Sequence, residues 1–216
     1  MSEELRAQLI QTARMMNEQS INSGSSGNLS VRQDNGMLIT PSGIPYSELS
    51  VDDIVAVASD GQVDAFARPS SEWRFHHDIY THRPDVQAVL HAHPSYCTTL
   101  ACLRRDIPAF HYEVALAGGN NIRCAHYATF GTQDLSDSVI EAMQDRTACL
   151  IENHGVICTG DTLEKALALA INIEFLARAY CQCLTIGKPH ILSDDEMVRV
   201  ADQYANYRGD PDPNAD

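Results

Sequence analysis

Positive charge is scarce in this chain. Lysine and arginine total 15 against 29 aspartates and glutamates, a formal net charge of -14 over 216 residues. Such a surface repels phosphate backbones and argues against a nucleic-acid partner. Long apolar runs are missing as well: nowhere do some 18 or more apolar residues follow one another without a break, which argues against a membrane span. The N-terminal stretch MSEELRAQLIQTARMM carries two early glutamates and no apolar core run, so it does not read as a signal peptide. No Cys-x-x-Cys occurs among Cys97, Cys102, Cys124, Cys149, Cys158, Cys181 and Cys183. An odd number of cysteines in apolar surroundings reads as small buried hydrophobes of a reduced cytoplasm, without a disulfide framework or a thiolate metal site. Internal repeats, low-complexity tracts and interdomain linkers are absent too, so a single domain (1–216) is expected, with a frayed acidic tail from about residue 209.

What is present is an alternation of helical and strand-like patterns. Leu5, Leu9, Ile10, Ala13 and Met16 recur at helical spacing and predict a helix over 3–22, broken by SGSSGN (23–28). LSVR (29–32) and MLIT (37–40) flank Asp34-Asn35-Gly36 and predict a hairpin, followed by a strand over 53–59. PSSEWRFHHDIYTHR (69–83) reads as a serine-capped helix stopped by Pro84, VQAVLHAH (86–93) as a strand and 95–103 as a helix. Further helices are expected over 134–145, from Asp161 or Thr162 to about 186, and from a Ser193/Glu196 capping box toward Tyr207. Two β-rich runs surround Asn153-His154-Gly155. The sum is an α/β domain with helices on both faces of a mixed sheet.

His91 and His93 alternate along a strand and so point to one face, roughly 6–7 Å apart along it. His154 sits in a turn between two other apolar runs, and Glu72 is expected in the first turn of a helix. Three imidazoles and a carboxylate form a ligand set that zinc favours at catalytic sites. Spacing alone leaves a second reading equally open, because His76, His77, His82, His111, His126 and His190 make histidine common here. Gly24, Gly27 and Gly43 read, by themselves, as turn glycines.

The segments SGNLSVR (26–32), MLITPSGIPY (37–46), PSSEWRFH (69–76), VLHAHPSYCT (89–98), IPAFHY (107–112), ALAGGNNI (115–122), HYATFGT (126–132), ENHGV (152–156), LEKAL (163–167) and LSDDE (192–196) together resemble the class II aldolase/adducin family over nearly the whole chain. The resemblance implies a three-layer α/β/α fold with a central mixed, mainly antiparallel sheet. It implies that Glu72, His91, His93 and His154 bind one Zn2+. It implies a pocket for the phosphate of dihydroxyacetone phosphate built from Asn28, Ser42, Gly43, Ser70 and Ser71.

The implied reaction is cleavage of a ketose 1-phosphate, such as L-fuculose 1-phosphate, to dihydroxyacetone phosphate and an aldehyde. Zinc acts as the Lewis acid and Glu72 carries a proton at the nucleophilic carbon. The resemblance also implies a homotetramer in which Tyr112, reaching in from a neighbouring subunit, protonates the aldehyde oxygen, with Phe130, Tyr204 and Tyr207 at positions that line the aldehyde end. No lysine lies in the motifs, which disfavours a Schiff-base route. Ser42 stands where the pattern has threonine, and Tyr204 where a near relative's pattern has phenylalanine. Alternatives from the same resemblance are 5-deoxyribulose or 5-methylthioribulose 1-phosphate as substrate, a ribulose 5-phosphate 4-epimerase, and a non-catalytic module like the adducin head.

Overall fold

The computed structural model describes residues 2–207; the expected tail from 209 lies outside them. Six helices are described: α1 (Ser2–Glu18), α2 (Trp73–His82), α3 (Ser95–Cys102), α4 (Gln133–Ala142), α5 (Leu163–Ile186) and α6 (Asp194–Tyr207). The strands are β1 (Asn28–Gln33), β2 (Gly36–Ile39), β3 (Val55–Ala58), β4 (Ala88–Ala92), β5 (Ile107–Pro108), β6 (Asn121–Ile122), β7 (Cys124–Ala125), β8 (Ala148–Ile151) and β9 (Gly155–Gly160). Seven of them form the sheet β3-β2-β1-β4-β9-β8-β7, antiparallel at every step except β7 with β8. The predicted hairpin is present, with Ser30 opposite Ile39 and Gln33 opposite Gly36.

Side chains alternate across a strand, and this divides the core in two. Leu29, Leu38, Leu90, Leu150 and Val156 face one way, where Leu9, Ala13 and Met16 of α1, Leu100 of α3 and Ile173 of α5 cover them. Met37, Ile39, Val89, Cys149 and Ile157 face the other way, onto Phe75 and Ile79 of α2 and Leu135 and Val139 of α4. The result is the expected three layers. Thr132 caps α4 and Thr162 caps α5, each accepting a backbone N–H three residues on.

By length and composition α5 could cross a membrane. It is instead a core helix: Leu163, Ala166, Leu167, Ala170, Ile173, Leu176, Ala177 and Tyr180 are buried at helical spacing. Midway along it, Glu174 accepts the backbone N–H groups of Tyr96 and Cys97 (2.9 Å each), which the first turn of α3 would otherwise leave unpaired.

Three expectations need correction. The helix expected over 69–83 starts at Trp73, with Glu72 at its N-cap, so Glu72 precedes the first turn and Ser70 and Ser71 form the turn ahead of it. Of the seven free cysteines only Cys97, Cys149 and Cys158 are buried, and Cys102 is exposed at the end of α3. Gly27 is more than a turn glycine: a Cβ there would come within 2.5 Å of the His91 carbonyl oxygen across the β1–β4 pair.

Candidate active site

The four residues singled out by the sequence come from three separate places. Glu72 lies in the turn before α2, His91 and His93 at the end of β4, and His154 in the β8–β9 turn. The sheet order makes β4 and β9 neighbours, with Ala92 opposite Val156, so the end of one strand meets the start of the other. The β8–β9 turn is tight because Asn153 adopts φ 55°, a left-handed conformation that asparagine tolerates. Gly155 follows, where an added Cβ would lie 2.3 Å from the Ala92 carbonyl oxygen and 2.8 Å from His93 Cδ2. Only glycine lets the two strand ends approach this closely.

The side chains converge. His91 Nε2 is 3.0 Å from His93 Nε2 and 3.3 Å from Glu72 Oε2, and His154 Nε2 is 3.2 Å from Glu72 Oε1. Donor atoms of the three histidines lie within 4.8 Å of one another. Tetrahedral ligands about 2.0–2.1 Å from a zinc ion stand about 3.3 Å apart, close to these separations. Glu72 Oε1 is buried without a hydrogen-bond partner, a group whose burial a cation would offset. The donor set and its spacing therefore fit a divalent metal ion.

The electrostatics agree. Burial pushes His93 down to about 3 and His154 to about 4, so both rings stand neutral at physiological pH, as metal ligation requires. For Glu72 burial acts to raise the pKa, but His91, His154 and the Asn28 amide outweigh it and hold the carboxyl at about 2. The His91 ring is oriented by its Nδ1–H, which donates to the Val156 carbonyl at 3.0 Å.

Behind Glu72 lies a polar network inside the core. Asn28 Nδ2 donates to Glu72 Oε2 at 2.9 Å, and Asn28 Oδ1 meets His76 Nε2 at 2.6 Å. His76 Nδ1 meets Ser30 Oγ at 2.7 Å, and Ser30 Oγ meets the Tyr80 hydroxyl at 2.9 Å. All five residues are buried, and burial pushes His76 down to about 3. In the sequence His76 is one histidine among nine. Its signal is the spacing: His76 and Tyr80 lie four apart on one stripe of α2, with Glu72 four residues ahead at the N-cap.

Ser70 Oγ accepts the Glu72 backbone N–H at 3.3 Å, and the Ser42 hydroxyl donates to the Pro69 carbonyl at 2.9 Å. Gly43 is exposed at φ 77° with open space around it, and Ser71 is exposed in the turn before α2. The isolated bridge between Pro41 and Pro69 draws these two turns together. Asn28 differs from the rest, because its amide is engaged by Glu72 and His76. Phe130 is exposed, and its neighbour Gly131 abuts the Ser71 carbonyl.

Two of the aromatic residues expected at the aldehyde end, Tyr112 and Tyr204, pair with each other. Tyr112 opens a 3-10 turn (Tyr112–Ala117) and stacks on Tyr204 of α6, centroids 6.2 Å apart and planes at 13°. Together with Glu113, Arg199 and Gln203 they line a cleft of about 710 Å³ that includes none of the four converging residues. Tyr207 ends α6, and its side chain lies outside the described residues.

Three histidines and a carboxylate, with Glu72 and His91 buried and His93 and His154 half-buried, form a site suited to a metal-dependent enzyme. The chain belongs to the family described as the class II aldolase and adducin N-terminal domain, whose model matches residues 7–181. It is 52% identical over 203 residues to a 5-methylthioribulose-1-phosphate/5-deoxyribulose-1-phosphate aldolase of Rhodospirillum rubrum, covering 94% of this chain and 92% of the relative. It is 47% identical over 204 residues to the L-fuculose phosphate aldolase of Escherichia coli K12, with 94% and 95% covered. A solved L-fuculose 1-phosphate aldolase superposes with a TM-score of 0.90 at 38% identity, covering 94% of this chain and 96% of that one. These relatives are lyases, and so is this protein.

Proposed function

We propose that the protein reversibly cleaves a ketose 1-phosphate to dihydroxyacetone phosphate and an aldehyde, using zinc held by Glu72, His91, His93 and His154. The observation that carries the reading is the convergence of these side chains at 3.0–3.3 Å from one another, with Glu72 Oε1 buried and without a hydrogen-bond partner. When bound, the ion supplies Lewis-acid stabilisation of the negative charge that develops beside the substrate carbonyl. The rest falls to the chain. Ser42, Gly43, Ser70 and Ser71 bind the substrate phosphate with hydroxyls and backbone N–H groups at two turns, one of them just ahead of the α2 N-terminus. Asn28 joins them through the amide hydrogen not given to Glu72.

Glu72 moves the proton to or from the nucleophilic carbon. Against the histidines it is a weak base. Turned away from them, it keeps the burial that raises its pKa and loses the neighbours that lower it. Tyr112 donates the proton to the aldehyde oxygen, and Phe130, Tyr204 and Tyr207 shape the aldehyde end. That the cleft lined by Tyr112 and Tyr204 includes none of the four ligand residues supports a homotetramer in which this tyrosine acts on a neighbour's site. Seven free thiols support a cytoplasmic enzyme of carbohydrate metabolism. The reading treats 1–216 as one domain.

L-fuculose 1-phosphate is one substrate to test. A second reading, 5-deoxyribulose or 5-methylthioribulose 1-phosphate, is favoured by the higher identity to the Rhodospirillum rubrum enzyme, 52% against 47%. A panel of these ketose 1-phosphates, with ribulose 5-phosphate as the epimerase control, decides among them. Dihydroxyacetone phosphate release is followed with and without a chelator. Full activity after complete chelation would overturn the metal-dependent route. Retained activity in Glu72→Gln would overturn the proton-transfer role, against an expected loss of about 10²–10⁴-fold.

A further inference from the structure

The network behind Glu72 has only one self-consistent polarity. An ionised carboxylate only accepts, so the Asn28 amide must turn Nδ2 toward Glu72 and Oδ1 toward His76. Oδ1 also only accepts, so His76 must carry its hydrogen on Nε2. The other ring nitrogen, Nδ1, then accepts from the Ser30 hydroxyl. Ser30 has one hydrogen and has used it, so the Tyr80 hydroxyl donates to Ser30. Every donor points toward Glu72, and each hydrogen bond polarises the next.

The chain cannot serve as a proton wire to the surface. A primary amide stands between His76 and Glu72, and passing a proton through it would require an iminol. Its effect is therefore one of orientation. Glu72 Oε2 is held by Asn28 at 2.9 Å, whereas Oε1 is buried without a hydrogen bond and faces His154 Nε2 at 3.2 Å.

We propose that His76 is a positioning residue which, with Ser30 and Tyr80 behind it, locks the Asn28 amide so that Oε2 of Glu72 is anchored and Oε1 is the oxygen that moves the proton. The inference rests on the proposed role of Glu72, and adds to it a named oxygen and a support built into α2 and β1. A loosely held Asn28 could present its carbonyl to the carboxylate, repel it, and displace the reacting oxygen. A misplacement of about 1 Å is enough for a loss of roughly 10²-fold.

Three variants of the zinc-loaded protein test it. His76→Phe keeps an aromatic ring of similar size and removes both hydrogen bonds. Turnover should fall about 10- to 100-fold, with KM within about threefold and one zinc per chain retained. His76→Gln can return an N–H to the Nε2 position and should recover most of that loss. Tyr80→Phe removes only the outermost donor and should lower turnover about two- to fivefold.

An independent readout is the 15N spectrum of the imidazoles in wild type, where His76 must appear as the neutral Nε2–H tautomer. An Nδ1–H tautomer overturns the proposal. So does equal loss in His76→Phe and His76→Gln, or a loss that follows melting temperature or zinc content. If His76→Phe does not fold, Tyr80→Phe and the tautomer decide. Failure here is separable from failure of the Glu72 role: an inactive Glu72→Gln beside a fully active, folded His76→Phe sinks only the network, whereas an active Glu72→Gln sinks both.

Discussion

His91 and Val156 are joined across the centre of the sheet by a hydrogen bond from the imidazole Nδ1 to the backbone carbonyl, at 3.0 Å. This bond fixes which nitrogen faces the cluster, because a ring that spends Nδ1–H on β9 offers Nε2 as its ligand atom. The metal site is thus tied to the pairing of β4 with β9, and changes at that seam should register as changes in metal affinity.

Gly155→Ala is the most direct probe of the seam. Its Cβ would fall 2.3 Å from the Ala92 carbonyl oxygen and 2.8 Å from His93 Cδ2, so the strand end or the ring must move. The expected destabilisation is about 1–3 kcal/mol, with zinc affinity at least tenfold weaker. Chemical denaturation and a zinc competition titration measure the two. Gly24→Ala is the control: it has φ 65° with open space around it, and should lose about 1 kcal/mol with unchanged zinc affinity. Wild-type zinc affinity in Gly155→Ala would refute the steric argument.

Asp78 ties α2 to α4, accepting from the Ser136 hydroxyl at 2.6 Å and the Gln133 amide at 2.7 Å. Burial raises its pKa, but these donors and His77 outweigh it, so the folded value lies below the ordinary 3.8. A depressed folded pKa means the stabilisation is complete above that ordinary value and is lost as pH falls through the folded one. Asp78→Asn should destabilise the protein by about 1–2 kcal/mol near neutral pH, a modest figure because the carboxylate is partly solvated. Urea unfolding across the acid range checks this. A difference between the two proteins that widens as pH falls below 3.8 would contradict it.

Tyr204 stacks on Tyr112, and its hydroxyl is the feature that distinguishes it from a phenylalanine. Tyr112→Phe should lower turnover by about 10²-fold or more for every aldehyde. Tyr204→Phe should mainly change the ratio of kcat/KM between a polar and an apolar aldehyde, by about three- to tenfold. Condensation of dihydroxyacetone phosphate with the two aldehydes reads both effects. An unchanged ratio in Tyr204→Phe would remove it from the specificity determinants.

Much of the fold was legible in the sequence because its elements carry strong local signals. The apolar spacing of α1, the Asp34-Asn35-Gly36 hairpin turn and the runs around His154 emerge as read, and of the two caps offered for α5 the structure uses Thr162. The two-residue strands β5, β6 and β7 were not readable, because so short a strand has no periodicity to detect. The start of α2 moved to Trp73 because Ser70 bonds to the Glu72 N–H in a turn of its own, before the helix begins. The metal cluster was legible as a set of residue types, and its convergence came from pairing β4 with β9, which no local pattern encodes. His76 was hidden for a related reason, since a histidine on the inner stripe of an amphipathic helix looks like any other core position.

The β4–β9 seam also sets an order of events. Glu72, His91 and His93 lie in the first half of the chain, and His154 arrives only with the β8–β9 turn. Non-local pairings of this kind form late, because the intervening segment must be closed before they add stability. During synthesis Glu72, His91 and His93 leave the ribosome before His154, which joins them when β9 docks against β4. If the four residues hold an ion as proposed, its tight capture reports that the sheet has closed, and a chain stalled before β9 would hold it only weakly.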